Sequence, residues 1–232
     1  MARMPRVIGV GLPHHITQRG NRRLPTFFQS TDYQAYLDLL KKWCHSFGTV
    51  IWAYCLMPNH VHLIAVPSTE TALARSIGET HRRYSRRINF REGWRGFLWQ
   101  GRFSSCLLDQ NHLVAAVRYV ERNPVRAALA RSPLDWPWSS ARFHSGEQDD
   151  GLVEWGPLKD IIHGDWERFL RQDDPPIPHE AIRLHTRTGR PLGDDRFLGE
   201  IERRVGHSIR PGKPGPKRQH PSIEPQAGLP GM

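Results

Sequence analysis

The sequence has no run of 18 or more apolar residues, and no charged N-terminal stretch leading into an apolar core and a small-residue cleavage site. A membrane span and a secretory leader are therefore not expected, and the expected location is the cytoplasm. Cysteine is scarce. Cys44, Cys55 and Cys106 make an odd number without a C-x-x-C pair, which argues against a disulfide framework or zinc knuckle and for reduced, buried thiols. A G-x-x-x-x-G-K-[ST] loop is also missing, so phosphate handling of the P-loop kind is not expected. Acidic residues are sparse in the first 146 positions, where 8 Asp+Glu stand against 20 Lys+Arg, and lysine occurs there only at Lys41 and Lys42.

What is present is arginine. The formal charge of +10 belongs to that first stretch, because the remainder carries 13 basic against 15 acidic residues. Arginine's planar fork suits bidentate phosphate contact better than a lysine point charge does. In "HRRYSRRINFREGWRGFLWQGRF", from His81 to Phe103, aromatic residues lie among the arginines. A solvated basic surface is the plain alternative, but this mixture can both neutralise phosphates and stack bases, which makes nucleic acid the expected partner.

A chain of 232 residues with 38% hydrophobic content can build one large domain, or one of about 150 residues with an appended module. The pattern predicts a first strand at "HHITQRG" and a loop over Arg19 to Leu24. A helix through "DYQAYLDLLKKWCHSFG" follows, capped by Thr31 or Asp32. "TVIWAYCLM" and "HVHLIAVP" read as antiparallel strands about a Pro58-Asn59 turn. A basic helix is expected from Thr71 to about Asn89, and a fourth strand in "GFLWQGRFSSCLL". A third helix starts near Asn111 and is stopped by Asn123-Pro124. The order β-α-β-β-α-β-α predicts an α+β, ferredoxin-like split βαβ sandwich with an antiparallel central sheet, followed by a largely irregular C-terminal extension. The expected division is 1–145 as the main folded domain, 146–206 as an acidic, Pro-rich connector with a short helix, and 207–232 as a flexible basic Pro/Gly tail.

"CLMPNHVHLIAVP", residues 55 to 67, sets two histidines one residue apart inside an apolar strand. Alternation places His60 and His62 on one face, about 7 Å apart along the strand, where they can chelate one divalent metal. A bare His-x-His is more often a solvated or hydrogen-bonded pair, but Val61, Leu63 and Ile64 make this strand internal, so unpaired imidazoles would carry a burial cost. The helix "VRYVERNPV" offers Tyr119 and, four residues on, Asn123 on the same face. That pairing suggests a tyrosine nucleophile beside a hard amide-oxygen ligand for Mg2+ or Mn2+, with Glu121 a weaker ligand on another face. Tyr119 as a packed core-edge residue is the competing account. Tyr84 in "HRRYSRR" is a rival nucleophile by its electropositive setting, but it lacks a ligand-type residue four positions on.

These stretches together resemble a known family. "MPNHVHLIAVP" is similar to the histidine–hydrophobic–histidine motif of single-tyrosine HUH transposases of the insertion-sequence 200/605 group, and "RYVERNPVRAAL" to their tyrosine helix. "HHITQRGNRR" and "LWQGRF" resemble the REP-associated tyrosine transposase branch. The likeness covers about residues 1 to 145. It implies a bacterial, metal-dependent single-stranded DNA endonuclease and strand transferase. Such an enzyme cuts at hairpin-flanked sites through a 5′-phosphotyrosine intermediate, with Tyr119 catalytic and His60, His62 and Asn123 holding Mg2+ or Mn2+. Many relatives carry glutamine where this chain has Asn123. Arg118 or Arg122 is the expected basic neighbour of Tyr119. Arg19, Arg22, Arg23, Arg82, Arg83, Arg86, Arg87, Trp99 and Arg102 are the expected contacts to single-stranded or hairpin DNA. A homodimer is one assembly the resemblance allows. The competing classes are a non-catalytic nucleic-acid-binding module of the same fold and a water-activating metal hydrolase.

Overall fold

A computed structural model describes residues 5–162, 164–172 and 179–210. Four strands, β1 (His14–Arg19), β2 (Thr49–Met57), β3 (His60–Pro67) and β4 (Ser104–Leu107), form one antiparallel sheet in the order β2-β3-β1-β4. This is the strand order of the split βαβ sandwich expected from the sequence. α1 (Ser30–Phe47) and α2 (Ala72–Glu92) cover one face, over Ile16, Ile51, Leu56, Val61 and Leu63. α3 (Gln110–Glu121) covers the other, over Ala53, Cys55, Met57, Ile64 and Cys106. All three cysteines are free and buried, as expected.

Three local differences from the sequence pattern have clear causes. α1 begins two residues before Asp32, whose carboxylate accepts from the backbone N–H groups of Phe28 and Gln29 and pairs with Arg91; it seals the first turn from inside the helix. α3 is capped by Asp109, which accepts from the His112 N–H at 2.8 Å, rather than by Asn111. β4 is shorter than the run 96–108, because Gly96 and Gly101 take left-handed backbone (φ 99° and 66°) and break the ladder. α3 does end before Asn123-Pro124, but a further helical turn, α4 (Asn123–Arg126), follows at once. Pro124 sits in its first turn, where a missing N–H costs nothing.

Among its described residues the C-terminal extension alternates helices with irregular stretches. α5 (Ala141–His144) closes the first 145 residues, and the extension adds α6 (Leu158–Ile161), α7 (Trp166–Arg171), α8 (His179–Thr188) and α9 (Asp195–Val205). Trp166, Phe169, Leu170, Ile182 and Leu192 share the apolar core beneath α3. Trp136 and Trp138 pack the turn before α5, Trp138 stacking on Tyr33 at 4.7 Å between centroids. The extension also closes both sheet edges. Leu56 N–H donates to Trp138 O (2.8 Å) and Glu154 N–H to Ile51 O (2.9 Å) along β2, while Leu192 N–H donates to Leu107 O (2.8 Å) along β4. Residues 173–178 of the Pro-rich stretch and 211–232 of the basic tail lie outside the described residues. Among the described residues no helix is long and apolar enough to cross a membrane.

Candidate active site

The site is built by strand register. β1 and β3 pair so that Thr17 stands opposite His62 and Arg19 opposite His60, while His15 stands opposite Ile64. Cross-strand partners share a face, so His15, Thr17, Arg19, His60 and His62 all project toward α3. The His60 and His62 rings are 5.0 Å apart between centroids, edge to face. Tyr119 comes down from α3 with its ring edge-on to His62 at 5.5 Å. The proposed nucleophile and the histidine pair thus meet within one chain.

Both histidines are held in a neutral, ligand-competent form. Burial, with the Arg19 and Arg126 charges added, pushes His60 down to about 3 from an ordinary 6.5; burial, with His60 and His15 next, pushes His62 well below its usual range. Asn59 donates to the Arg23 carbonyl (2.8 Å), so its Oδ1 accepts the His60 Nδ1 proton at 2.6 Å and Nε2 keeps the lone pair. His62 Nδ1 is hydrogen-bonded to His15 Nε2 at 3.0 Å, and its buried Nε2 has no hydrogen-bond partner. An orphaned imidazole nitrogen beside a second neutral imidazole fits a divalent metal. Among the described residues no cluster of three His, Cys, Asp or Glu side chains has metal-holding geometry, so a third protein ligand would have to be of another type. Asn123 has that character and lines the same cleft. Its Nδ2 donates back to Tyr119 O (3.1 Å), and its Oδ1 accepts from Arg126 at 2.6 Å, leaving one lone pair.

The cleft above these groups encloses about 710 Å3, and among the described residues its lining includes Arg19, Arg102, Arg126, Arg183 and Arg187. Its charge suits a phosphodiester. The basic neighbours of Tyr119 are not those expected. Arg118 and Arg122 reach away to Gln172. Instead the Arg126 guanidinium lies 4.1 Å over the Tyr119 ring, and Arg183 from α8 donates to the Tyr119 hydroxyl at 3.3 Å.

The expected DNA contacts divide. Arg19 and Arg102 line the cleft. Arg22 and Arg23 are exposed on the adjoining loop, both with positive φ (53° and 63°). Gly20 makes that loop possible, since a β-carbon there would collide with the Leu24 carbonyl. Arg82, Arg83, Arg86 and Arg87 lie on α2, in the layer on the opposite face of the sheet, with Arg82 and Arg83 engaged by Glu79. Trp99 does not offer a stacking surface: it is 6% exposed and packed among Phe27, Tyr36, His81 and Tyr84. Tyr84 is likewise core, donating to Thr26 O at 2.7 Å. Glu121 is fully buried and holds three donors, far from any ligand role. The sequence reading missed His15, Arg126, Arg183 and Thr186. The His14-His15 doublet was a visible signal for the first, while the residues of α8 had none.

The split βαβ sheet thus carries a His-x-His pair under a helix-borne tyrosine, the arrangement the resemblance to single-tyrosine HUH transposases leads one to expect. Residues 10–123, just under half of the chain, match the family described as transposase IS200 like, and this likeness supports a transposase, an enzyme that cuts and rejoins DNA. It is similar to a REP-associated tyrosine transposase of Haemophilus influenzae, at 28% identity over 152 residues, covering 58% of this chain and 84% of the relative. Its fold is that of a REP-associated tyrosine transposase solved bound to a REP hairpin, with 22% identity and a TM-score of 0.51, over 72% of this chain and 93% of that one.

Proposed function

We propose that this transposase cuts single-stranded DNA beside a hairpin and rejoins it through a tyrosine–DNA ester. The observation that carries this reading is Tyr119 set edge-on to His62 beneath a cleft walled by five arginines. The Tyr119 oxygen attacks phosphorus, the Tyr O–P bond forms as the P–O3′ bond breaks, and the departing 3′-oxygen takes a proton. The products are a 5′-phosphotyrosine and a free 3′-hydroxyl. One ester replaces another, so rejoining needs no nucleotide cofactor. Arg183 and Arg126 stabilise negative charge on the tyrosine oxygen. His60 and His62, with Asn123 as third ligand, would hold Mg2+ or Mn2+, which would supply a Lewis acid to polarise a phosphoryl oxygen. Arg19 and Arg102 orient the scissile phosphate from the cleft wall.

The hairpin itself is gripped beyond the cleft. Asn21 N–H donates to Leu98 O and Gln100 N–H to Arg19 O, both at 2.8 Å, tying the arginine loop to the 93–103 segment. There Phe90 and Phe97 are 89% and 88% exposed, with Trp94 half-exposed beside Phe28. Exposed rings among arginines suit base stacking.

The test is incubation of the wild-type chain and Tyr119→Phe with labelled single-stranded hairpin DNA and Mn2+, followed by denaturing gels. A DNA band shifted by the protein's mass, absent from the variant and in EDTA, is the expected outcome. Free cleavage products from both proteins would indicate water activation instead, and binding without cleavage a non-catalytic module.

A further inference from the structure

The C-terminal helix α8 reaches the histidine pair through a chain of three side chains. Thr186 is 4% exposed, His15 1% and His62 5%, so the chain is shielded from water. The Thr186 hydroxyl donates to the Ile182 carbonyl one turn back, at 2.7 Å. Its proton is therefore committed, and its oxygen can only accept from His15 Nδ1, 2.8 Å away. A neutral imidazole carries one proton, so His15 offers Nε2 as an acceptor. The group facing it at 3.0 Å is His62 Nδ1, which must then be the protonated nitrogen. What remains on His62 is a bare Nε2 lone pair, the buried atom without a hydrogen-bond partner.

We propose that Thr186 is a positioning residue for the metal site: through His15 it holds His62 in the Nδ1–H tautomer, so that Nε2 is free to ligate. The inference rests on the reading of His60 and His62 as metal ligands. His60 gets its tautomer separately, from Asn59 on its own turn. The relay is directional. It needs a hydroxyl at 186 whose proton is engaged elsewhere, and the helical i−4 carbonyl supplies that engagement. The family match ends at residue 123, so this control of a core ligand is delivered by the extension. An outer partner of this kind typically changes metal affinity by about 10- to 100-fold.

The experiment uses the full chain with 15N-labelled histidine. Long-range 1H–15N spectra of the metal-free protein read each ring's tautomer, His15 and His62 being assigned by single substitution. Mn2+ affinity is measured in parallel by calorimetry. In the wild type both rings are expected as Nδ1–H. Thr186→Val, similar in shape without a hydroxyl, is expected to lose that pattern and weaken Mn2+ binding at least tenfold. Thr186→Ser is expected to restore both. An Nε2–H signal for His62 in the wild type would overturn the proposal even if the valine variant failed to fold. So would a valine variant with unchanged tautomers and affinity. His62→Ala separates the underlying reading: if it binds Mn2+ as the wild type does, the metal assignment fails, whatever the tautomers show.

Discussion

Phe97 and Trp99 stand two positions apart in one loop and have opposite surroundings. Phe97 is 88% exposed; Trp99, 6% exposed, is wedged between α1 and α2. Truncating Trp99 opens a cavity among four rings, and Trp99→Ala is expected to lower stability by about 3–5 kcal/mol in urea denaturation. Phe97→Ala should leave the denaturation midpoint unchanged. It should instead weaken hairpin binding by about 1 kcal/mol or more, the value of one base–aromatic stack, read by fluorescence anisotropy. Equal affinity in Phe97→Ala would remove this loop from the DNA surface. Arg91 sits between these two kinds of residue: its guanidinium pairs with buried Asp32 and lies over the exposed Phe28 ring, so it joins the cap of α1 to the aromatic rim.

Among the elements, α3 does two jobs on two faces. One face presents Tyr119 to the histidines; the other presents Glu121, fully buried. The Glu121 carboxylate accepts from Ser140 Oγ (2.5 Å), His144 Nδ1 (2.7 Å) and Trp166 Nε1 (2.7 Å), and so fastens α5 and α7 to the tyrosine helix. Glu121→Ala would leave the buried His144 Nδ1 and Trp166 Nε1 donors without that acceptor, while Ser140 Oγ keeps Tyr54 O at 3.3 Å. The expected cost is about 3–5 kcal/mol, with amide exchange accelerated first in α7 and around Ser140. Uniform acceleration across the sheet as well would show that Glu121 supports the whole core rather than this junction.

The whole molecule stores an unusual amount of buried neutral imidazole. Burial pushes His14 down to about 4 and His81 down to about 3, from an ordinary 6.5. His15 and His60 move in the same direction. Below pH 6.5 the unfolded chain takes up protons that the folded chain refuses, so protons bound unfolded exceed those bound folded and stability rises with pH. Stability is therefore complete above about pH 6.5 and is lost as the pH falls toward 4, by about 1.4 kcal/mol per pH unit for each such histidine. Urea midpoints at pH 7.5 and 5.5 test this: a clear drop is expected at the lower value, and an unchanged midpoint would refute it.

The strand and helix order, the antiparallel central sheet, and the placing of His60 and His62 on one strand face and of Tyr119 beside Asn123 were all legible in the chain. The reason is that period-2 and period-3.6 patterns and residue spacing are local properties. Alternation alone puts His60 and His62 on one face of β3, and helical spacing alone puts Tyr119 near Asn123. Which face of the sheet each helix covers is not local. The α2 arginines looked like DNA contacts because they are dense in charge, yet packing of Ile77, Tyr84 and Ile88 turns them to the layer opposite the histidines. Trp99 looked like a stacking residue because its neighbours are basic, yet its own apolar area is large enough to be drawn into the core. The extension looked like a connector because its acidic and Pro-rich runs carry little periodicity, yet it covers both sheet edges and brings Arg183 to Tyr119 and Thr186 to His15. Contacts spanning 171 residues, as between His15 and Thr186, leave no mark in the spacing of either. Only register, edge closure and burial in three dimensions decide them.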